Sequence, residues 1–186
     1  MTVLIIDNHT DYIEALKSLL KDFDVSVKYF QDLVLEDKDN YDLIILSGGY
    51  HHASVSQDPI ENKLETEIIT STSKPIIGIC YGSQLIAEAF GSKIEKLDSK
   101  VAEINEIKFS EDFLDYKKDD IIKVHESHRY AITTLGSELT KLAESVDGVE
   151  VFEHKTKPIF GIQFHPELEQ EETNGDELFK KLLQKI

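Results

Sequence analysis

Apolar positions follow two different patterns along the chain. In the first ninety residues, continuous apolar runs at 3–6, 43–46 and 76–79 are typical of strands that are buried on both faces of a parallel sheet. The stretch after the first run has apolar residues at helical spacing: Tyr12, Ile13, Leu16, Leu19 and Leu20. Another helix is predicted from Pro59, which Asp58 can cap. This alternation of strands and helices predicts a doubly wound α/β unit.

The pattern changes after Gly91. Four further strands are predicted without helices between them: 101–109, 121–124, 139–144 and 149–153. Gly148 favours a hairpin between the last two strands. A last buried strand at 159–163 precedes a closing amphipathic helix. We therefore expect one domain over residues 1–186, with a mostly parallel central sheet flanked by helices and an added antiparallel portion.

Composition and charge exclude several classes of protein. The 186 residues carry a net charge of −16, so phosphate backbones are repelled and no nucleic-acid partner is expected. Apolar runs stay well below the ~20 residues that a membrane span needs, so we expect no membrane association. One cysteine cannot form an internal disulfide, and the first residues read as a strand rather than a secretory leader. A reducing, cytoplasmic setting fits best.

The single cysteine stands where a predicted strand meets a predicted helix. Gly78 and Gly82 lie two residues to either side of Cys80, which is the spacing of a nucleophile elbow. A Cβ beside such a sharp turn would clash, and the turn puts the sulfur at a helix N-terminus, where a thiolate is favoured. A buried, inert cysteine at a strand end is the alternative, and the paired glycines favour the nucleophile.

A cysteine nucleophile needs a base that takes its proton and returns it to the leaving group. Of the seven histidines, His165 directly follows the last predicted strand, while the other six lie in loops or polar stretches. Glu167 could hold the second ring nitrogen, and Pro166 stiffens the link between them. On spacing alone, this segment fits a surface turn as well as a catalytic one.

Two segments together resemble the class I, or triad, glutamine amidotransferases: residues 78–84, GICYGSQ, and residues 161–167, GIQFHPE. The segment 47–49, SGG, is similar to the oxyanion loop of that family. The resemblance covers essentially the whole chain and implies the family's flavodoxin-like fold. Within the family, the chain looks most similar to the separate glutaminase subunits of GMP synthase.

The resemblance implies a role for each matching residue. Cys80 would attack the side-chain amide of glutamine and form a γ-glutamyl thioester. His165 would protonate the departing ammonia and then activate water, and Glu167 would orient His165. Backbone N–H groups of Gly49 and Tyr81 would hold the oxyanion. Four further residues would form the glutamine pocket: Gly48, Gln84, Ser127 and His128.

Simpler alternatives stay open for part of that pocket. Gln84 also fits an exposed residue in the first helical turn, and Ser127 with His128 also fits a hydrogen-bonding pair in a loop. The chain departs from the resemblance in three places. Ser83 stands where a histidine commonly precedes the glutamine after the elbow. Tyr130 stands where GMP synthase glutaminases usually have an Asp associated with signalling to the synthetase, and residues 50–52 replace the usual proline of the oxyanion loop.

The resemblance implies no metal and no cofactor in this chain. ATP and Mg²⁺ are expected on a separate synthetase of the ATP-pyrophosphatase type, which would use the ammonia to aminate XMP. We also expect residues 48–54 to be mobile or misaligned in the free chain, because Gly48 and Gly49 permit a peptide flip that would turn a C=O toward the oxyanion.

Two other functions remain possible on the same fold. One is a stand-alone γ-glutamyl hydrolase or transferase, which would also use a Cys–His pair. The other is a non-catalytic regulatory homologue. The presence of Cys80, His165 and Glu167 together argues against a non-catalytic homologue.

Overall fold

The computed structural model describes residues 1–49, 63–168 and 172–186. Their helices and strands follow in chain order: β1 (Thr2–Asn8), α1 (Ile13–Leu19), β2 (Asp24–Tyr29), α2 (Asp37–Asn40), β3 (Leu43–Gly49), α3 (Lys63–Ser71), β4 (Ile76–Ile79), α4 (Tyr81–Ala89), β5 (Lys93–Phe109), β6 (Ile121–Thr134), β7 (Leu139–Glu144), β8 (Val149–His154), β9 (Ile159–Ile162) and α5 (Gly175–Lys185). Within the described ranges, the strands form one sheet in the order β2-β1-β3-β4-β9-β8-β7-β5-β6.

Half of this sheet is parallel, as predicted. Strand β1 pairs in parallel with β2 and β3, and parallel pairing continues from β3 to β4 and from β4 to β9. All four residues of β4 are buried, which explains its uninterrupted apolar sequence. Because these strands run in one direction, their carboxyl ends meet at one edge of the sheet. Asn8, Gly49 and Cys80 lie at that edge, where ligands bind in open α/β sheets.

Helices cover both faces of the parallel half, which confirms the doubly wound arrangement. Ile5 of β1 packs in one core cluster with Leu16 of α1 and Phe179 of α5. Its neighbour Ile6 points to the opposite face and packs in a second cluster, which contains Ile68 of α3 and residues of α4. The helix start expected at Pro59 lies outside the described residues, and α3 is described from Lys63.

The second half of the sheet is antiparallel, as expected for the region after Gly91. Strand β8 joins the halves, since it pairs antiparallel with β9 on one side and with β7 on the other. Strand β5 then pairs antiparallel with β7 and β6. Between β7 and β8, the N–H of Ser145 donates to the carbonyl of Gly148 at 2.9 Å, so the hairpin predicted at Gly148 is confirmed.

Strand β6 is much longer than the predicted 121–124, and this corrects one expectation. Ser127 and His128 lie inside β6, opposite Ala102 and Val101 of β5, rather than in a loop. Every second residue of β6 is buried from position 122 to 128, but the last two of these, Glu126 and His128, are polar. A pattern based on hydrophobicity ends where polar side chains begin to take the buried positions.

None of the helices in the described part of the chain is both long and apolar enough to span a membrane.

Candidate active site

Cys80 occupies the sharp turn between β4 and α4. Its backbone has φ 48° and ψ −105°, a conformation that non-glycine residues rarely adopt. The N–H of Cys80 donates to the carbonyl of Ile162 in β9 at 2.8 Å, so the neighbouring strand fixes the turn. The strained elbow predicted from the sequence is confirmed. Helix α4 begins at Tyr81, directly after the cysteine.

The two flanking glycines are required by close backbone contacts. A Cβ on Gly82 would lie 2.3 Å from the carbonyl oxygen of Leu46 in β3. A Cβ on Gly78 would lie 2.5 Å from the carbonyl oxygen of Gly82. Both distances are far below van der Waals contact. The elbow can therefore pack against β3 only because Gly82 lacks a side chain, and it can close on itself only because Gly78 lacks one.

His165 and Glu167 meet Cys80 directly after β9. His165 Nδ1 lies 2.8 Å from Glu167 Oε1, and both residues are buried. The backbone N–H of His165 donates to the carbonyl of His125 in β6 at 2.8 Å, which holds this segment against the sheet. Cys80 lies near the same ring, because a Cβ added at Gly48 would be 2.9 Å from His165 Cε1 and 3.7 Å from Cys80 Cβ. The structure therefore brings the three predicted catalytic residues together.

The protonation of His165 depends on these two neighbours. Burial alone lowers its pKa, but Cys80 and Glu167 together outweigh burial and hold the pKa of His165 well above its ordinary value. A histidine with a raised pKa stays imidazolium near neutral pH, and an imidazolium beside a thiol favours the thiolate. The arrangement therefore suits a thiolate nucleophile paired with a general acid.

A serine hydroxyl orients the peptide between Gly48 and Gly49. Ser47 Oγ accepts the N–H of Asn8 at 2.9 Å and donates to the carbonyl of Gly48 at 2.7 Å. Because the C=O and N–H of a trans peptide point in opposite directions, the N–H of Gly49 points away from this hydroxyl. A Cβ on Gly48 would lie 2.9 Å from His165 Cε1, so the peptide lies against the histidine ring.

The expected mobile segment 48–54 falls mostly outside the described residues. Gly48 and Gly49 are the last two residues of β3, while 50–54 are not among the described residues. Gly49 lines the pocket described next. Gly48 does not line it, although the resemblance placed it there.

A pocket of about 230 Å³ opens beside Cys80 and His165. Its wall includes five residues that the resemblance assigned to the oxyanion or to glutamine: Gly49, Tyr81, Gln84, Ser127 and His128. Lys100 and Arg129 also line it, and neither was identified from the sequence. Arg129 is the single arginine of a strongly acidic chain, and this unusual count was the signal that could have indicated it.

Two buried side-chain amides link Cys80 to strand β6 through a series of hydrogen bonds. Gln163 Nε2 donates to Cys80 Sγ at 3.6 Å, and Gln163 Oε1 accepts from Gln84 Nε2 at 2.9 Å. The same Gln84 nitrogen donates to the carbonyl of Tyr130 at 3.0 Å. Gln84 is therefore buried rather than exposed, and its amide nitrogen is engaged within the protein. Gln163 was missed, although it is a buried polar residue directly after an apolar strand.

Comparison with known proteins assigns the chain to a family. A sequence model of the family "Glutamine amidotransferase class-I" matches residues 4–185. The chain belongs to this family. The enzyme class predicted from the sequence, a glutamine amidotransferase, is thereby confirmed.

Several relatives of similar length are named as GMP synthase subunits. One of them, a subunit of the glutamine-hydrolyzing GMP synthase of Methanocaldococcus jannaschii, is 32% identical over 190 residues, which cover 96% of this chain and 94% of the relative. The corresponding subunit from Pyrococcus abyssi is 32% identical over 191 residues and is covered to 97% in both chains. The crystal structure of a protein described as a GMP synthase subunit from Thermoplasma acidophilum matches with a TM-score of 0.84 at 27% identity, covering 99% of this chain and 92% of that one.

Replacing Gln163 by glutamate tests the amide contact in this amidotransferase. The variant keeps the oxygen that accepts from Gln84 but loses the N–H that donates to Cys80, and it places a carboxylate beside the sulfur. Because a neighbouring negative charge disfavours a thiolate, we expect kcat/KM for glutamine to fall by at least tenfold. The exposed Gln31→Glu is the matched control and should keep the full rate. An unchanged kcat/KM in Gln163→Glu would show that the contact is only structural.

Proposed function

We propose that this chain is the glutaminase subunit of a two-chain amidotransferase. It hydrolyses glutamine to glutamate and ammonia, and a separate synthetase uses the ammonia to aminate XMP in the synthesis of GMP. The observation that carries the chemistry is Cys80, held at a strained elbow within reach of a His165–Glu167 pair. The relatives named as GMP synthase subunits, which match over nearly their whole length, support the acceptor.

The hydrolysis has two halves. The thiolate of Cys80 attacks the side-chain carbonyl carbon of glutamine, and the N–H groups of Gly49 and Tyr81 stabilise the oxyanion. His165 gives its proton to the departing nitrogen, so that ammonia leaves and a γ-glutamyl thioester remains. His165 then removes a proton from water, which attacks the thioester. Glutamate leaves, and Cys80 recovers its thiolate beside the imidazolium. Glu167 holds the ring in place through both halves.

The pocket supports an amino acid as substrate. Lys100 and Arg129 are cationic side chains at its wall, and a carboxylate such as the α-carboxylate of glutamine is the group that they fit. The hydrolysis needs only water besides glutamine. ATP and Mg²⁺ would be bound by the synthetase, which is of the ATP-pyrophosphatase type. A cytoplasmic setting would keep Cys80 reduced.

A stand-alone γ-glutamyl hydrolase is the second candidate, and Tyr130 is the observation that favours it. In GMP synthase glutaminases an Asp usually occupies this position and is associated with signalling to the synthetase. Here the side chain is a tyrosine, which offers no carboxylate, and the backbone carbonyl of Tyr130 accepts hydrogen bonds from Gln84 and His128. A hydrolase that acts alone has no need of such a signal.

Addition of the synthetase separates the two candidates. A glutaminase that hydrolysed glutamine freely would waste it, so we expect a low rate for the free chain. Mixing it with a separately encoded synthetase, ATP and XMP should raise the steady-state rate of glutamate release at least tenfold, or ~1.4 kcal/mol in the barrier.

The same mixture without ATP and XMP is the control, because it separates complex formation from activation by substrates. Equal rates for the free chain and the complete mixture, with substantial turnover in both, would contradict the partnership and favour the stand-alone hydrolase. Tyr130 is the position where we expect the coupling to differ from that of relatives with Asp.

A further inference from the structure

A cluster of buried acidic and imidazole groups lies behind the wall of the pocket. Glu126 and His128 are two residues apart on β6 and so point to the same face of the strand. Glu150 reaches them from β8. One ligand-type atom from each of the three lies within 4.8 Å of the others. All three residues are at least 95% buried.

The two carboxylates of this cluster are only half satisfied. Glu126 Oε2 accepts from the amide of Asn105 at 2.9 Å, and Glu150 Oε1 accepts from the hydroxyl of Ser145 at 2.8 Å. The second oxygens, Glu126 Oε1 and Glu150 Oε2, have no hydrogen-bond partner among the described residues. A buried carboxylate oxygen without a partner is costly, so each of these two oxygens calls for a positive ion or a hydrogen-bond donor beside it.

The orientation of His128 points to the same conclusion. Its Nδ1 lies 2.9 Å from the carbonyl of Tyr130, and because a carbonyl only accepts, Nδ1 carries the hydrogen. In the neutral ring, the lone pair of Nε2 then faces Glu126. A histidine that donates its other ring N–H to a carbonyl is the usual arrangement of a metal ligand, because that hydrogen bond fixes the tautomer.

The distance between His128 and Glu126 is at the long end of the range for a hydrogen-bonded ion pair. Nε2 lies 3.2 Å from Glu126 Oε2, whereas His165 and Glu167 are 2.8 Å apart in the same molecule. Charge-assisted N–H···O bonds are about 2.7–2.9 Å long. Two ligand atoms about 2.0–2.2 Å from one tetrahedral zinc ion are separated by roughly 3.3 Å. The observed distance between Nε2 and Oε2 is close to this separation of two zinc ligands.

We propose that Glu126, His128 and Glu150 form a binding site for a divalent transition-metal ion, for which Zn²⁺ is the best match. One imidazole and two carboxylates are ligands that zinc accepts, and the two carboxylates neutralise its charge. The ion holds β6 against β8. Through His128 it also fixes the Tyr130 carbonyl, to which Gln84 donates. The ion takes no part in the thioester chemistry, so this proposal does not depend on the proposed function.

A shared proton is the competing explanation. Burial and the nearby Glu126 raise the pKa of Glu150 well above its ordinary value. A protonated Glu150 could then donate a hydrogen bond to Glu126. This network needs no metal. It predicts that Glu150→Gln, which imitates a protonated carboxyl, keeps or raises the melting temperature and that zinc has no effect on it.

Metal analysis of the full chain tests the site. The Cys80→Ser chain is used throughout, because the reactive thiolate could itself bind zinc. We expect it to retain about one equivalent of Zn²⁺ after loading and desalting, and to melt at least ~5 °C higher with zinc than after treatment with EDTA. Added Glu150→Gln or His128→Gln should remove both effects. The matched control is Glu65→Gln, a buried glutamate of α3 outside the cluster, which should keep both.

Each remaining outcome has a definite meaning. Stoichiometric retention of another divalent ion, such as Mn²⁺, that depends on Glu150 and His128 would support the site with a different metal. Retention of less than ~0.1 equivalent, with a melting temperature that neither zinc nor EDTA moves, would overturn the proposal. Equal retention of zinc in Cys80→Ser with and without Glu150→Gln would overturn it as well, because the ion would then lie elsewhere.

Discussion

Replacement of Cys80 by alanine should abolish glutamine hydrolysis, with a loss of at least ~10⁴-fold in kcat. The sulfur is the group at the elbow that can form a thioester, and His165 cannot generate an equally good nucleophile from water at the same place. Replacement by serine should be nearly as damaging, because a hydroxyl is far less easily ionised than a thiol beside an imidazolium. The measurement is the steady-state release of glutamate.

The chain offers clean controls for this experiment. Because Cys80 is the single cysteine, a glutamine analogue that carries a diazo-ketone should label the wild-type chain at that residue, and mass spectrometry can locate the label. The Cys80→Ala chain should stay unlabelled and should keep its melting temperature within a few degrees. An undiminished rate in Cys80→Ala would refute the thioester mechanism.

The elbow could be predicted from the sequence because it depends on local geometry. Gly78 and Gly82 are needed within two residues of Cys80, since a side chain on either would collide with nearby backbone. The continuous apolar run of β4 and the helical spacing after it are also local signals. The strained backbone of Cys80 follows from these features alone, and the structure has it.

The buried polar residues around the pocket could not be predicted in the same way. Glu126 and His128 are buried in β6 because other polar side chains meet them there, and a pattern of hydrophobicity marks such residues as exposed. The roles of Gln84 and Gln163 depend on a contact between residues 79 positions apart. The position of β9 between β4 and β8 is likewise a property of the whole sheet, not of its own sequence.

His165 and Glu167, the proposed general acid and its orienting carboxylate, should respond differently to mutation. In the proposed mechanism His165 protonates the departing ammonia and activates water, so we expect His165→Ala to lose ~10³–10⁴-fold in kcat. Glu167→Gln leaves the imidazole in place and keeps an oxygen that can accept from Nδ1, but it removes the charge. We therefore expect a milder loss of ~10–100-fold, measured as glutamate release at one fixed pH.

The pH dependence of Glu167→Gln provides the sharper test. In the proposed mechanism, thioester formation, which governs kcat/KM, needs His165 as an imidazolium. This form is present below the pKa of His165 and is lost as the pH rises through it. Cys80 and Glu167 hold that pKa above its ordinary value, so removal of the Glu167 charge lowers it. The basic limb of the kcat/KM profile should therefore move to lower pH in Glu167→Gln. The exposed Glu172→Gln serves as the control and should leave the limb in place. A wild-type rate and an unmoved basic limb in Glu167→Gln would show that Glu167 does not act on His165, although the two side chains lie 2.8 Å apart.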